Sequence, residues 1–170
     1  MTTITSKICV IGEFAVGKTS TVERFVNKQF SDKYLTTIGV KVDTKTLATN
    51  NIDMKVVIWD IAGTEKFGDI EFSYMRGSAA YILVADGTRK NTLSVAQNLH
   101  AQVESRLGKL PFVLLVNKSD LKHEWEVTDA DLASLRSQYT NVFTTSAKTG
   151  DDVEQALEAL ASLIIDTDFS

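Results

Sequence analysis

Residues suited to handling phosphate come early in the chain. "GEFAVGKTS", Gly12 to Ser20, places Gly12, Gly17, Lys18 and Thr19 in the pattern G-x-x-x-x-G-K-[ST]. To cradle phosphate oxygens, the consecutive backbone N–H groups of Glu13, Phe14, Ala15, Val16 and Gly17 must turn inward, and the glycines permit that turn. A helix beginning at Lys18, Thr19 and Ser20 adds its positive dipole end. Lys18 can reach β- and γ-phosphates, and the Thr19 hydroxyl is a hard oxygen ligand for Mg²⁺. A plain glycine-flanked turn between strand and helix would explain the glycines but not Lys18.

A second polar cluster lies about 100 residues on, in "LLVNKSD", with Asn117, Lys118 and Asp120 just past an apolar run. A carboxylate there can accept hydrogen bonds from both N1–H and the exocyclic amine of guanine, a pattern adenine does not offer. Lys118 can lay its aliphatic stem over a base. Further on, "TSAKTG" brings Ser146, Ala147 and Lys148 after another apolar segment, where a backbone N–H can meet a guanine carbonyl. Alone, "NKSD" is an ordinary polar loop; following a phosphate loop, it completes a nucleotide site.

The elements that must position these loops alternate along the chain. "KICVIG", "YILVAD", "PFVLLVN" and "VFTTS" are short apolar runs, each followed by an amphipathic helical stretch. That pattern is the sequence form of a parallel sheet covered by helices on both faces. In such a sheet, ligands bind outside the C-terminal strand ends, where both polar clusters fall. The exception is Val40 to Asp60, where two β-rich runs meet at Asn50-Asn51, a hairpin turn pair. In the last helix Val153, Ala156, Leu157, Leu160 and Ile164 recur at helical spacing and form a core face. Thr128 with Asp131 forms a helix start, and Gly108 with Pro111 a helix end.

With "GEFAVGKT", "TTIG", "WDIAG", "NKSD" and "SAK" in that order, the chain resembles a Ras-superfamily small GTPase over nearly its whole length. "YLTTIGVKV" and "KFGDIEFSYMRG" look most like the Rab branch. The resemblance implies a Ras-like P-loop α/β fold: a six-stranded, mostly parallel sheet with one antiparallel edge strand, and helices on both faces. It implies one G domain spanning residues 1–170, GTP/GDP and Mg²⁺ as ligands, and GTP hydrolysis.

The family's site residues carry over by position. Thr37 matches the switch I threonine that joins Mg²⁺ and touches the γ-phosphate. Asp60 matches the acid on the metal side, acting through water, and Gly63 the glycine whose N–H senses the γ-phosphate. Phe30 stands where the family sets an aromatic residue against the guanine edge. Thr37 and Gly63 would hold two loops only while a γ-phosphate is present, the order-to-disorder switch of this family. Effectors would then bind through Ile38 to Trp59 and through Gly63 to Tyr74, with an exchange factor and a GTPase-activating protein as further partners.

Two residues depart from that pattern. Thr64 occupies the position of the water-orienting glutamine, and its hydroxyl is shorter and lacks the amide's paired donor and acceptor. Phe14 sits in the phosphate loop where Ras-like relatives keep a small residue, and a benzyl group there could crowd an arginine finger worth roughly 10³ to 10⁵ in rate. With Lys18, Thr37 and Gly63 otherwise present, the expectation is slow hydrolysis. The alternative is a non-catalytic module, constitutively loaded with nucleotide; an adenine-nucleotide enzyme is disfavoured by Asp120.

The whole chain sets the remaining bounds. Its 170 residues suffice for one sizeable core, and a net charge of -4 argues against a general nucleic-acid binder. Cys9 is the only cysteine and lies in an apolar run, reading as a buried strand thiol. No apolar run approaches the roughly 18 residues of a membrane span, and no lipid-anchor signal is visible. The expectation is a cytoplasmic monomer when free, reaching membranes only through a partner or a segment outside this chain. His100 and His123 read as surface histidines, Lys33 and Lys66 as solvated charges, and Arg76 as structural. Trp59 reads equally as core or switch surface, and Trp125 as a contact over a loop rather than a partner anchor.

Overall fold

A computed structural model of the chain describes residues 2–26, 34–35, 40–49, 52–61 and 67–169. The first strand, β1 (Thr2–Gly12), leads through the phosphate loop into α1 (Lys18–Val26). The edge of the sheet follows as β2 (Tyr34–Leu35), β3 (Lys41–Thr49) and β4 (Ile52–Asp60). After α2 (Asp69–Tyr74) come β5 (Ala80–Asp86), α3 (Lys90–Leu107) and β6 (Phe112–Asn117). A 3₁₀ segment (Ser119–Glu124), α4 (Asp129–Gln138), β7 (Val142–Thr144) and α5 (Val153–Phe169) complete the chain.

The strands lie in the order β2-β3-β4-β1-β5-β6-β7. Pairing is parallel from β4 through β7, while β3 runs antiparallel to β4. The six-stranded α/β architecture with an antiparallel edge is therefore present, and the two-residue β2 extends that edge by pairing with Lys41 and Val42. The β3–β4 register closes at Thr49 opposite Ile52, flanking the turn pair Asn50-Asn51, which lies outside the described residues.

Alternation of side chains along each strand divides the core into two layers. Ile8 and Val10 of β1, with Ala80, Ile82 and Val84 of β5, face α1 and α5. Cys9 and Ile11, with Tyr81, Leu83 and Ala85, face α3 and its neighbours. All seven residues of β5 are buried, which explains its unbroken apolar run. On α5, Val153, Ala156, Leu157, Leu160 and Ile164 are all buried against the first layer, so the periodic face is core. At α4, the Thr128 hydroxyl accepts from Asp131 N–H at 3.1 Å while the Asp131 carboxylate accepts from Thr128 N–H at 2.9 Å, closing a capping box. Gly108 ends α3 at φ 82°, a left-handed conformation that favours glycine.

His100 corrects the reading of a surface histidine. Its side chain is only 13% exposed, shares a 2.7 Å hydrogen bond with the Tyr81 hydroxyl and lies 3.0 Å from Glu104. Phe112 tilts against the ring with centroids 4.4 Å apart, and Tyr139 meets it edge-on. Helical spacing sets His100 beside the buried Ala96 and Val103, while the aromatic partners that enclose it come from β5, β6 and the end of α4. His123 is exposed, as expected. Trp59 is half-buried against the α3-side layer, with the Lys7 ammonium 3.8 Å above its ring. Arg76 is exposed, and its carbonyl accepts from Lys7.

Candidate nucleotide site

The strand order makes β1 the point from which the chain winds in both directions, with β4 on one side and β5 on the other. A crevice opens at such a point beyond the C-terminal strand ends. There the structure gathers the phosphate loop after β1, Asp60 at the end of β4, Asp86 at the end of β5, the loop after β6 and the loop after β7.

In the phosphate loop the Lys18 side chain is buried and donates to the carbonyls of Gly12 at 3.2 Å and Glu13 at 2.9 Å. Burial pushes its ammonium pKa down, with Asp60 and Glu13 pulling the other way and Arg89 adding to the depression. Ala15 has φ 60° and Gly17 φ 100°, and a Cβ on Gly17 would stand 2.3 Å from Asn117 Nδ2. Glycine is required there both for its conformation and for the close approach of Asn117. Val16 is buried, Ser20 is exposed, and the Phe14 side chain is 67% exposed.

On the metal side, Thr19 Oγ1 donates to Asp60 Oδ2 at 2.6 Å. The other carboxylate oxygen, Oδ1, is buried and has no hydrogen-bond partner among the described residues. A buried carboxylate oxygen without a donor is costly, and a hydrated cation beside it would remove that cost. A hydroxyl and a carboxylate are the oxygen donors Mg²⁺ uses together with phosphates and water, so the pair fits that ion.

The base side is built on Asn117, which is buried at the end of β6. Its Nδ2 donates to Val16 O at 3.0 Å, and its Oδ1 accepts from Ala147 N–H at 3.1 Å and Thr145 Oγ1 at 3.3 Å. One amide thus ties the phosphate loop to the "TSAKTG" loop. Ser146 Oγ donates to Asp120 Oδ1 at 2.7 Å, orienting that carboxylate. Gly17, Ser20, Asn117, Lys118, Asp120 and Lys148 help line a cavity of about 250 Å³, with Ala147 on the same wall. The Ala147 N–H is taken by Asn117, and the Lys118 ammonium rests 2.7 Å from Asp86 Oδ2 and 3.4 Å from Ala15 O.

Glu13 through Ser20, Asp60, Asn117, Lys118, Asp120 and Ser146 through Lys148 are therefore neighbours in space. Phe30, Thr37, Gly63 and Thr64, with Lys33 and Lys66, lie outside the described residues. Sequence reasoning passed over Asp86 and Arg24 as supporting side chains, and read Trp125 only as a contact over a loop. Asp86, fully buried, accepts from Thr88, Arg89 and Lys118. Burial would raise its pKa, but the hydrogen bonds from Lys118, Thr88 and Arg89 outweigh burial and hold it below the usual carboxylate value. Its signal was available: an acid ending the apolar run "YILVAD", as Asp60 ends β4. Trp125 Nε1 donates to Lys118 O at 2.8 Å, supporting a residue held at φ 73°. Arg24 of α1 donates to the carbonyls of Ala147 and Lys148.

Comparison with known proteins decides the family. The sequence model described as "Ras family" matches residues 7–166. The chain belongs to the Ras family. It is 32% identical over 168 residues to the Ras-related protein Rab-32C of Dictyostelium discoideum, covering 96% of this chain and 75% of that one. Against Ras-related protein Rab-7L1 of Rattus norvegicus the identity is 34%, covering 91% and 79%. Against Ras-related protein Rab-18-B of Danio rerio it is 35%, covering 96% and 80%. These matches place this Ras-family chain with the Rab branch of small GTPases. As a Ras-family small GTPase it is a GTP-binding switch with GTPase activity, in a family that binds GTP or GDP with Mg²⁺ and engages effectors, exchange factors and activating proteins. No helix among the described residues is long and apolar enough to cross a membrane.

Proposed function

We propose that residues 1–170 act as one G domain whose intrinsic hydrolysis of GTP is slow, leaving a GTP state that persists unless a partner supplies the missing groups. The observation that carries this is Phe14: the family's small phosphate-loop position holds a benzyl side chain that is 67% exposed at the loop surface. It stands where a partner's arginine would approach. Thr64, at the glutamine position, adds to this, since its hydroxyl has less reach toward an attacking water.

In this reading Lys18 and the loop N–H groups from Glu13 to Thr19 bind the phosphates. Asp120 selects guanine, steadied by Ser146, while Asn117, Lys118, Ala147 and Lys148 shape the base pocket and Phe30 covers the guanine edge. Thr19, and Asp60 through water, would hold Mg²⁺, joined by Thr37. When bound, that ion supplies neutralisation of charge on the β- and γ-phosphates. Thr37 and Gly63 sense the γ-phosphate, and effectors read Ile38 to Trp59 and Gly63 to Tyr74.

Single-turnover hydrolysis of preloaded GTP tests the proposal. The wild-type chain should be slower than ordinary small GTPases, T64Q should be faster than wild type, and F14G should respond more strongly to an activating protein. A wild-type rate in the ordinary range would sink it. The nucleotide that co-purifies gives an independent reading, mostly GTP if turnover is slow. A chain that keeps GTP through long incubation, with T64Q equally inert, would instead be a non-catalytic binding module.

A further inference from the structure

The carbonyls of Phe14, Ala15 and Val16 each accept a hydrogen bond from a side chain outside the phosphate loop. Arg89 Nη2 donates to Phe14 O at 2.7 Å, Lys118 Nζ to Ala15 O at 3.4 Å, and Asn117 Nδ2 to Val16 O at 3.0 Å. In a trans peptide the C=O of one residue and the N–H of the next point in opposite directions. Holding these carbonyls on one side therefore turns the N–H groups of Ala15, Val16 and Gly17 to the other. Ala15, a non-glycine at φ 60°, sits in an unfavourable left-handed conformation, which persists only where its surroundings fix it.

Arg89 and Lys118 share an anchor. Asp86 Oδ2 lies 3.2 Å from Arg89 Nε and 2.7 Å from Lys118 Nζ, and Thr88 N–H and Oγ1 both donate to Oδ1. The Asp86 carboxylate is fully buried, whereas the Arg89 side chain is 38% exposed, so solvent screens the Arg89 bonds in part. Arg89 uses two edges of its fork, Nε on Asp86 and Nη2 on Phe14 O, which fixes the direction of the guanidinium.

We propose that Asp86 and Arg89 are paired positioning residues for the phosphate loop: Asp86 aims Arg89, and Arg89 holds the Phe14 carbonyl outward so that the loop N–H groups face the phosphates. This rests on the nucleotide reading of the site. It adds a third tie to the two that the "NKSD" loop provides, from a side chain 75 residues away in sequence. The tie falls on the residue whose side chain departs from the family pattern, and it is made by that residue's backbone, so the benzyl group does not disturb it. Arg89 also adds positive charge that is felt at Lys18.

Dissociation of a fluorescent GDP analogue, measured in Mg²⁺ with excess unlabelled GDP, tests this. R89A should release the analogue roughly tenfold faster than wild type, the loss expected for one charge-assisted hydrogen bond. R89K keeps the charge but not the fork, and should also release faster. Full rescue by R89K would overturn positioning in favour of charge alone, and R89A at the wild-type rate would overturn the tie altogether. Should R89A also lower the unfolding midpoint, D86N and D86N/R89A decide the matter. A double variant no faster than D86N supports action through one pair, and independent multiplication of the two effects overturns it. A wild-type chain that retains no GDP would overturn the nucleotide reading instead, a result distinct from all of these.

Discussion

Thr19 Oγ1 lies 2.6 Å from Asp60 Oδ2, joining the first turn of α1 to the end of β4 across the metal side of the site. The bond is a side-chain hydroxyl donating to a carboxylate whose second oxygen is buried without a donor among the described residues. T19V removes the hydroxyl at nearly constant volume. Wild-type GDP release should accelerate when EDTA removes Mg²⁺, whereas T19V should already release about tenfold faster in Mg²⁺ and respond little to EDTA. Equal EDTA sensitivity in both would remove Thr19 from the metal site.

Asp120 is held by Ser146 at 2.7 Å and lines the same cavity as Asn117 and Lys148. D120N replaces an acceptor-only group by an amide that offers N–H donors, a mismatch for the guanine amine. GDP affinity should fall on the order of a hundredfold or more, and xanthosine diphosphate, with an acceptor at that position, should bind better than to wild type. Competition binding with both nucleotides reads the exchange of preference. Loss of both affinities together would point to a collapsed loop and not to base selection.

Trp125 lies over Gly87 so closely that a Cβ on Gly87 would stand 2.1 Å from its ring. The same ring carries the Lys122 ammonium 4.0 Å away, and its Nε1 holds the Lys118 carbonyl. G87A must displace the ring and should cost about 1–3 kcal/mol, as overpacking does. W125F keeps most of the packing but loses the N–H donor, at about 1 kcal/mol. Urea unfolding of the GDP-loaded protein measures both, and both variants should release GDP faster because Lys118 loses its support.

Cys9 is fully buried, with its sulfur 3.2 Å from Ser78 Oγ. Burial pushes the thiol from its ordinary 9.0 up to about 11, against smaller opposing effects from Ser78 and Lys7. An acid whose pKa is raised by folding contributes stability that is full below the unfolded value and is lost as pH rises toward the folded one. The folded protein should therefore lose stability between about pH 9 and pH 11, and C9A should flatten that decline in a pH series of denaturant midpoints. A thiol reagent at pH 8 should modify the native chain only at the rate of its opening.

Much of the fold and of the nucleotide site was legible because it rests on short-range patterns. The apolar run "YILVAD" needs no tertiary knowledge to read as a strand buried on both faces, and all of it is buried. The phosphate loop, "NKSD" and "TSAKTG" could be placed at one sheet edge because parallel strands separated by helices deliver their C-terminal ends to the same side. His100 was misread for the complementary reason. Two of its neighbours at helical spacing, Ala96 and Val103, are buried, but the groups that enclose it, Tyr81, Phe112 and Tyr139, come from other elements. Asp86 and Arg89 went unassigned because neither belongs to a motif, although Asp86 carries the same mark as Asp60, an acid at the end of an apolar strand.

By itself, the sequence determined what local periodicity and fixed spacing can encode: the alternation of strands and helices, the packing face of α5, a loop able to turn its N–H groups inward, and the presence of Thr64 and Phe14 where the family has other residues. Only the tertiary structure decided which distant groups hold that loop in shape. Strand order, not sequence distance, sets Phe14 beside Arg89, Val16 beside Asn117, and Gly87 beneath Trp125. A hydrogen bond depends on separation in space to a few tenths of an ångström, and chain spacing does not specify that across 75 or 101 residues.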